Sequence, residues 1–236
     1  MTPRHRVVFL FDVDNTLLDN DAVQADFHDE LVRRSGAACA ERYWAHYTEL
    51  RQEMGYADHL GALQRYRVRE RMYDPSVLLV ASYLLDYPFA TRLYPGALEL
   101  LEQCGRWGPT VILSDGDVVF QPRKVARSGL AAAVDGRVLI YVHKEQELKE
   151  VESRYPADHY VMVDDKLRIL AAVKEVWGPR VTTVFPRQGR YAHDPEILAD
   201  FPPADLHLER IGDLLTYTLP TLLDAAAATS GGRRST

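Results

Sequence analysis

Two aspartates, Asp12 and Asp14, lie two positions apart directly after the apolar run at residues 7–11. In an open α/β sheet, ligands bind at the carboxyl ends of the strands, so both carboxylates would lie at the edge of a site. Such a pair can divide two tasks: one group stays ionised as nucleophile and metal ligand, and the other acts as general acid and base. The alternative is a simple turn or a helix N-cap, because Asp and Asn favour both.

The string Phe-Asp-x-Asp-x-Thr-Leu at residues 11–17 resembles the first signature of the haloacid dehalogenase superfamily, most of whose members are phosphohydrolases. Three further signatures of this family occur in the required order, and the resemblance spans about residues 6–185. They are the run Ser114-Asp115-Gly116 after a second apolar strand, Lys144 before a helix, and the adjacent acids Asp164 and Asp165 after a third apolar strand.

The resemblance implies a role for each position. Asp12 would be the nucleophile, Asp14 the general acid and base, and Lys144 the cation that offsets their negative charge. Lys144 is preferred because Lys124 follows the second signature too soon and Lys149 lies inside a predicted helix. The phosphoryl group of the substrate would be bound by hydroxyl and backbone N–H groups at Thr16, Ser114, Asp115 and Gly116. For the Ser-Asp-Gly run, the alternative is a plain turn.

The resemblance also implies a Mg²⁺ site, because this cation takes oxygen ligands and typically uses one or two carboxylates plus phosphate and water. Its ligands would be a carboxylate oxygen of Asp12, the backbone carbonyl of Asp14 and the acidic pair. Asp165 is favoured as the direct ligand, while Asp164 would bind through water or orient Lys144. The alternative for two adjacent acids is a helix N-cap pair. Lys166, directly after them, would either pair with the acids or face the substrate.

Strands and helices alternate along most of the chain, which predicts βαβ units around a parallel sheet. The fold class is therefore α/β, with a three-layer Rossmann-like core. Asp135-Gly136 indicates a small hairpin or an extra turn. Predicted strands lie at residues 7–11, 111–113, 160–163 and 181–185, with another ending near Val142; predicted helices lie at 96–107, 118–127, 145–154 and 167–177.

Residues 20–92 break this alternation and contain four predicted helices, at 22–34, 38–54, 59–73 and 76–85. This segment is similar to the helical cap that the family inserts between its first and second signatures. The predicted core then comprises residues 1–19 and 93–224, the cap residues 20–92, and a flexible tail residues 225–236. Cap arginines at 65, 67, 69 and 71 are expected to form solvated ion pairs on helix surfaces rather than to bind substrate.

Composition bounds the function further. The chain has 236 residues, 47% hydrophobic and 26% charged, with a net charge of −6, which is ordinary for a globular protein and argues against nucleic acid or a membrane surface as partner. No signal peptide or membrane span is expected. Two cysteines are too few for a disulfide scaffold, which favours a cytoplasmic location. A monomer and a homodimer are both compatible with the sequence.

The expected activity is Mg²⁺-dependent hydrolysis of a small phosphate monoester through an aspartyl-phosphate. One alternative is a carbon–halogen hydrolase like the 2-haloacid dehalogenases, which generally lack an acid two residues after the nucleophile because halide leaves without a proton. Asp14 argues against that alternative. Another is a binding or regulatory protein on the same fold, which would usually have lost a catalytic acid, and none is missing here.

Overall fold

The computed structural model describes residues 3–70 and 75–231 of the chain. Within them, one parallel sheet is formed by β1 (His5–Phe11), β2 (Thr110–Asp115), β3 (Val138–Tyr141), β4 (Ala157–Val163), β5 (Val181–Pro186) and β6 (Leu206–Leu208). The strand order is β3-β2-β1-β4-β5-β6, which puts β1 at the centre between β2 and β4. The predicted Rossmann-like α/β fold is confirmed.

Helices cover both faces of this sheet. In chain order they are α1 (Asn20–Ser35), α2 (Ala37–Met54), α3 (His59–Arg69), α4 (Pro75–Asp86), α5 (Ala97–Gly105), α6 (Phe120–Arg127), α7 (Leu130–Ala133), α8 (Leu148–Arg154), α9 (Leu167–Trp177), α10 (Pro195–Asp200) and α11 (Leu219–Gly231). Short 3-10 turns occur at Phe89–Arg92, Lys144–Gln146, Gly178–Arg180, Arg190–His193 and Ile211–Thr216. None of the helices in the described part of the chain is long and apolar enough to cross a membrane.

The central strand is apolar on both faces because each face is covered. Phe9 and Phe11 belong to one buried cluster, shared with α1 to α7, whereas Val8 and Leu10 belong to a second cluster, shared with α8 and α9. The register places Phe11 beside Ile112 of β2 and Val163 of β4. The residues that follow these three strands therefore meet at one edge of the sheet.

Four helices, α1–α4, are inserted between β1 and β2, close to the predicted positions. Helix α2 ends at Gly55, whose φ of 79° lies in the left-handed region and whose N–H donates to the carbonyl of Arg51. The third predicted helix, at 59–73, ends at Arg69 in the structure, and residues 71–74 lie outside the described ranges. Asn20, at the start of α1, is the point where the insertion leaves the sheet edge.

Two segments differ from the sequence-based expectation. Asp135 and Gly136 form a turn with positive φ between α7 and β3, and β3 runs parallel to β2, so the hairpin alternative is wrong. Helix α11 continues to Gly231, although a flexible tail is predicted from residue 225. Its alanine-rich sequence has high helix propensity, and Leu222 and Ala226 are buried, which accounts for the longer helix. Residues 232–236 lie outside the described ranges.

Candidate active site

Asp12 lies at the end of β1, 2% exposed, with its N–H donating to the carbonyl of Val163 at 3.0 Å. The hydroxyl of Thr16 donates to Asp12 Oδ2 at 3.3 Å and accepts the N–H of Asp165 at 3.0 Å. The loop after β1 is thereby tied to the end of β4. Thr16 is a bridge between Asp12 and Asp165 rather than an open phosphate-binding group in this arrangement.

Lys144 reaches Asp12 from the 3-10 turn that follows β3. Its side chain is fully buried, and Nζ donates to Asp12 Oδ1 at 2.5 Å and to the carbonyl of Leu113 at 3.2 Å. Nζ also forms an ion pair with Asp164 Oδ2 at 2.6 Å. Burial alone would lower the pKa of Lys144, but Asp12 and Asp164 hold it above its usual value. The ammonium group is therefore charged.

The ionisation of Asp12 follows from the same contacts. Burial favours the neutral acid, but the positive charges of Lys144 and Lys166 outweigh it and hold the pKa of Asp12 below its usual value. A carboxylate that stays ionised in a buried position is a competent nucleophile and metal ligand. The geometry thus supports the function predicted for Asp12.

A metal ion would fit between three carboxylates. Asp12, Asp164 and Asp165 are all buried and each offers an oxygen within 4.8 Å of the others. Neither carboxylate oxygen of Asp165 has a hydrogen-bond partner among the described residues, and burial raises the pKa of this group well above its usual value. Burial likewise raises the pKa of Asp164, to about 6, against the opposing charge of Lys144. Buried acceptors without donors are costly, and an oxygen-seeking divalent cation such as Mg²⁺ would satisfy them.

Ser114, at the end of β2, also contacts Asp12. Its hydroxyl donates to Asp12 Oδ1 at 3.4 Å and accepts from Gln121 Nε2 at 3.0 Å. Asp115 accepts the N–H of Lys144 through Oδ1 at 2.8 Å, while burial raises the pKa of its carboxyl. Ser114 lies where the resemblance implies, and Asp115 fixes the loop that carries Lys144.

Gly116 differs from its predicted use. Its N–H donates to the carbonyl of Tyr141 at 2.9 Å, in continuation of the β2–β3 pairing, and so is not open to a phosphoryl group in this structure. A Cβ added at position 116 would lie 2.5 Å from Cβ of Gln121. The glycine instead lets α6 approach the end of β2, which brings Gln121 to Ser114.

Asp14 has a partner that sequence reasoning did not predict. Lys124 of α6 is 2% exposed, and its Nζ donates to Asp14 Oδ1 at 2.7 Å and to Asn20 Oδ1 at 2.9 Å. Lys144, not Lys124, contacts Asp12, in line with the preference stated for Lys144, whereas the contact of Lys124 with Asp14 was not predicted. One signal could have found it: Lys124 falls on the same helical face as Phe120 and Gln121, which are also buried, and a lysine there requires a buried acceptor.

Two of the predicted cap arginines form the expected ion pairs, whereas Arg67 forms none among the described residues. Arg65 pairs with Glu53 and Arg69 with Glu49, both between α3 and α2 and at 2.6 Å. Position 71 lies outside the described residues. Neither described pair touches the group of carboxylates around Asp12.

A cavity of about 330 Å³ opens between the insertion and the sheet edge. Asp14, Asp115 and Lys166 line it from the sheet side, Arg51 and Tyr56 from the end of α2, and Tyr191 from the loop after β5. Burial would lower the pKa of Lys166, but the carboxylates of Asp165 and Asp12 hold it above its usual value. Asp14 therefore shares the cavity with cations from both sides of the cleft, Lys166 and Arg51. Arg51 was not among the candidates from the sequence.

Comparisons with known proteins agree with this geometry. A family model described as haloacid dehalogenase-like hydrolase matches residues 7–176. The crystal structure of a haloacid dehalogenase-like hydrolase from Burkholderia xenovorans LB400 is 62% identical, covers 91% of this chain and 99% of that chain, and superposes with a TM-score of 0.87. No curated protein matches the chain.

Two more distant structures show the fold alone. The HAD hydrolase YfnB from Bacillus subtilis, solved with magnesium bound, is 19% identical over 90% of this chain and 97% of that chain, with a TM-score of 0.57. The L-2-haloacid dehalogenase of Xanthobacter autotrophicus is 18% identical over 88% of this chain and 96% of that chain, with a TM-score of 0.58.

Proposed function

Because the chain belongs to the haloacid dehalogenase-like hydrolases, we propose that it is a Mg²⁺-dependent phosphohydrolase that cleaves a small phosphate monoester. The observation that carries this proposal is the buried group of Asp12, Asp164 and Asp165, in which both oxygens of Asp165 lack a hydrogen-bond partner among the described residues. Such a group suits a divalent cation, and neutralising the charge of a phosphoryl group is what such a cation does in phosphoryl transfer.

In the first step, a carboxylate oxygen of Asp12 attacks phosphorus and the bond from phosphorus to the ester oxygen breaks. Asp14 gives a proton to the departing oxygen, which leaves as an alcohol. General-acid catalysis of this kind increases the rate by about 10²–10⁴-fold. Lys144 and the Ser114 hydroxyl, both in contact with Asp12, stabilise the negative charge around the transferring group.

In the second step, Asp14 takes a proton from water, whose oxygen attacks phosphorus of the aspartyl-phosphate. The bond from phosphorus to Asp12 breaks, and inorganic phosphate leaves. Lys124 supports both steps by holding the carboxylate of Asp14 at the wall of the cavity. Mg²⁺ held by Asp12, Asp165 and the backbone carbonyl of Asp14, with Asp164 beside it, would neutralise the phosphoryl oxygens.

The same proposal covers location and assembly. Cys39 and Cys104 are both free, in keeping with a reducing compartment such as the cytoplasm. The substrate is a small molecule, since the chain carries a net charge of −6 and no basic stripe for nucleic acid. We propose a monomer or homodimer as the working form.

Phosphate release and halide release, measured side by side, test the activity. The wild type should hydrolyse p-nitrophenyl phosphate and members of a metabolite phosphate panel with Mg²⁺ but not with EDTA, and should release no halide from 2-chloropropionate. Asp12→Asn should lose phosphatase activity while its melting temperature shows it to be folded. Asp29→Asn, an exposed position on α1, is the matched control. Halide release without phosphate release would instead support a carbon–halogen hydrolase.

Thermal unfolding tests the metal site separately. A cation that binds only the folded protein stabilises it by about 2.7 kcal/mol at 100 times its Kd. Mg²⁺ should therefore raise the melting temperature of the wild type by several degrees. The shift should vanish in Asp165→Asn and persist in Asp29→Asn. An equal shift in all three proteins would contradict the placement of the cation at Asp165.

A further inference from the structure

Arg51 stands at the end of α2 and lines the same cavity as Asp14. Helix α2 stops at Gly55, so its last turn carries this guanidinium to the rim of the cleft between insertion and sheet. Arg51 is half-buried, and its guanidinium lies 5.8 Å from the ring centroid of Tyr191 across the cleft. The position of Arg51 is thus set by a helix end and an aromatic ring.

Among the described residues, Arg51 differs from neighbouring cations in having no carboxylate partner, whereas the charge of Lys166 is balanced by the nearby carboxylates of Asp165 and Asp12. Lys124 pairs with Asp14 at 2.7 Å, Arg168 with Glu145 at 2.5 Å, and Arg190 with Asp21 at 3.9 Å. Across the described ranges, neither Arg51 nor Lys166 forms an ion pair within 4.0 Å. The two acids in the cavity wall are already engaged, Asp14 by Lys124 and Asp115 by the N–H of Lys144. Arg51 therefore brings to the cavity a guanidinium charge that no carboxylate of the described residues neutralises within 4.0 Å.

Tyr191 adds a polar group to the same wall. Its ring lies between Arg51 and Arg190, whose guanidinium is 5.0 Å from the ring centroid. Burial would raise the pKa of the Tyr191 hydroxyl, but these two cations hold it below its usual value. An anion bound beside Arg51 would meet a guanidinium and a phenol together.

We propose that the leaving group of the substrate carries a carboxylate that binds Arg51, so that the substrate is a small phosphorylated hydroxy acid. The proposal rests on the phosphohydrolase function argued above. A guanidinium presents two parallel N–H groups that match a carboxylate. The volume of about 330 Å³ lies at the small end of ligand pockets, which favours a compact acid over a sugar or nucleotide. Lys166 contributes a second positive charge beside the phosphoryl site.

Matched substrates test this assignment by turnover. 2-Phospholactate and isopropyl phosphate differ in one group, a carboxylate against a methyl. The wild type should show kcat/KM about 10²-fold higher for phospholactate, since a hydrogen-bonded charged pair contributes roughly that factor. Arg51→Gln should bring the ratio of the two values close to one, and Arg51→Lys should give an intermediate ratio. Arg69→Gln, whose ion pair lies outside the cavity, should keep the wild-type ratio.

A binding experiment tests the carboxylate subsite even if the protein hydrolyses no ester. 3-Phosphonopropionate and propylphosphonate are stable analogues that again differ in the carboxylate. With Mg²⁺ present, calorimetry should show the first binding the wild type about 10²-fold more tightly and the two binding Arg51→Gln about equally. Failure of turnover with this pattern intact would overturn the phosphohydrolase proposal alone. The carboxylate subsite would be overturned if the wild type bound the two analogues with equal affinity, or if Arg51→Gln kept the wild-type ratio of affinities. It would also be overturned if the wild type, titrated in the same way, preferred a bisphosphate of the same length.

Discussion

Two buried lysines hold the two aspartates of the loop after β1, and they do so from different parts of the molecule. Lys144 lies at the sheet edge, where Asp12, Asp164 and the carbonyl of Leu113 surround its ammonium group. Lys124 comes from α6 and joins Asp14 to Asn20, the first residue of the inserted helices. The partners of Lys144 all belong to the sheet edge, whereas Lys124 connects that edge to the insertion.

This difference separates two tasks. The charge around Asp12 is fixed by strand ends that cannot move without disrupting the sheet. The position of Asp14 depends on where α1 begins, and the side chain of Asp14 is 24% exposed, facing the cavity. In the proposed mechanism, the nucleophile Asp12 is therefore held rigidly, while the general acid and base Asp14 is held by a contact that depends on the position of the insertion.

The largest effect is expected for Lys144→Met. Removing this ammonium would leave Asp12 and Asp164 buried without the cation that contacts both of them, which costs about 3–5 kcal/mol in the free energy of unfolding. Loss of charge stabilisation at the phosphoryl group should lower kcat by about 10³-fold. Urea unfolding and phosphate release measure the two effects. A variant of wild-type stability would contradict the ion pairs described for Lys144.

Lys124→Met should have a smaller effect of a different kind. Asp14 is partly hydrated, so we expect a loss of about 1–3 kcal/mol in unfolding free energy and of about 10²-fold in kcat for alkyl phosphates. Aryl phosphates, whose phenolate leaves with less help from an acid, should lose much less. This dependence on the leaving group distinguishes positioning of Asp14 from a purely structural role. Equal losses for both classes of ester would contradict the positioning role.

Asn20→Ala should weaken only the link to the insertion. Lys124 would keep its hydrogen bond to Asp14 and lose the one to Asn20. We expect a loss of about 1 kcal/mol in unfolding free energy and a severalfold loss in kcat. Steady-state kinetics on the same alkyl phosphates measures the loss in kcat, and urea unfolding measures the loss in stability. If Asn20→Ala were as damaging as Lys124→Met, the contact with Asn20 rather than with Asp14 would be the important one.

The smallest effect is expected for Lys149→Met, the lysine control for this series. Lys149 is exposed on α8, so its replacement should change the unfolding free energy by no more than about 0.5 kcal/mol. Phosphate release should match the wild type. A large loss here would show that replacing any lysine of this chain is damaging, and the contrast between Lys144 and Lys124 would lose its meaning.

The sequence predicts the sheet edge well, and there is a physical reason. Parallel strands end at a common edge, so motifs that follow apolar runs meet there whatever their separation along the chain. The family resemblance selects Asp12, Ser114, Lys144 and the acidic pair, and the common edge explains why these residues meet. The predicted role of Gly116 in binding the phosphoryl group is not supported, because its N–H is engaged by the β2–β3 register, which is a property of the assembled sheet.

The contacts that cross between elements are harder to predict. Lys124 is set aside as the cation for Asp12, and its contact with Asp14 is not predicted, because that contact depends on the orientation of α6. Arg51 is absent from the sequence-based candidates because nothing in its local sequence distinguishes it from the arginines that pair with Glu49 and Glu53. Its role depends on which helix end faces the cleft, and only tertiary packing determines that.

The central claim is that Asp12 receives the phosphoryl group of an ester and that water then attacks phosphorus. A single turnover in heavy-oxygen water, with enzyme in excess over an alkyl phosphate and Mg²⁺ present, tests it most directly. Mass spectrometry should find the heavy oxygen in the released phosphate and none in the peptide that contains Asp12. Heavy oxygen in the Asp12 carboxylate would show that water attacks the carboxyl carbon, as in ester hydrolysis after carbon–halogen cleavage, and would contradict the account.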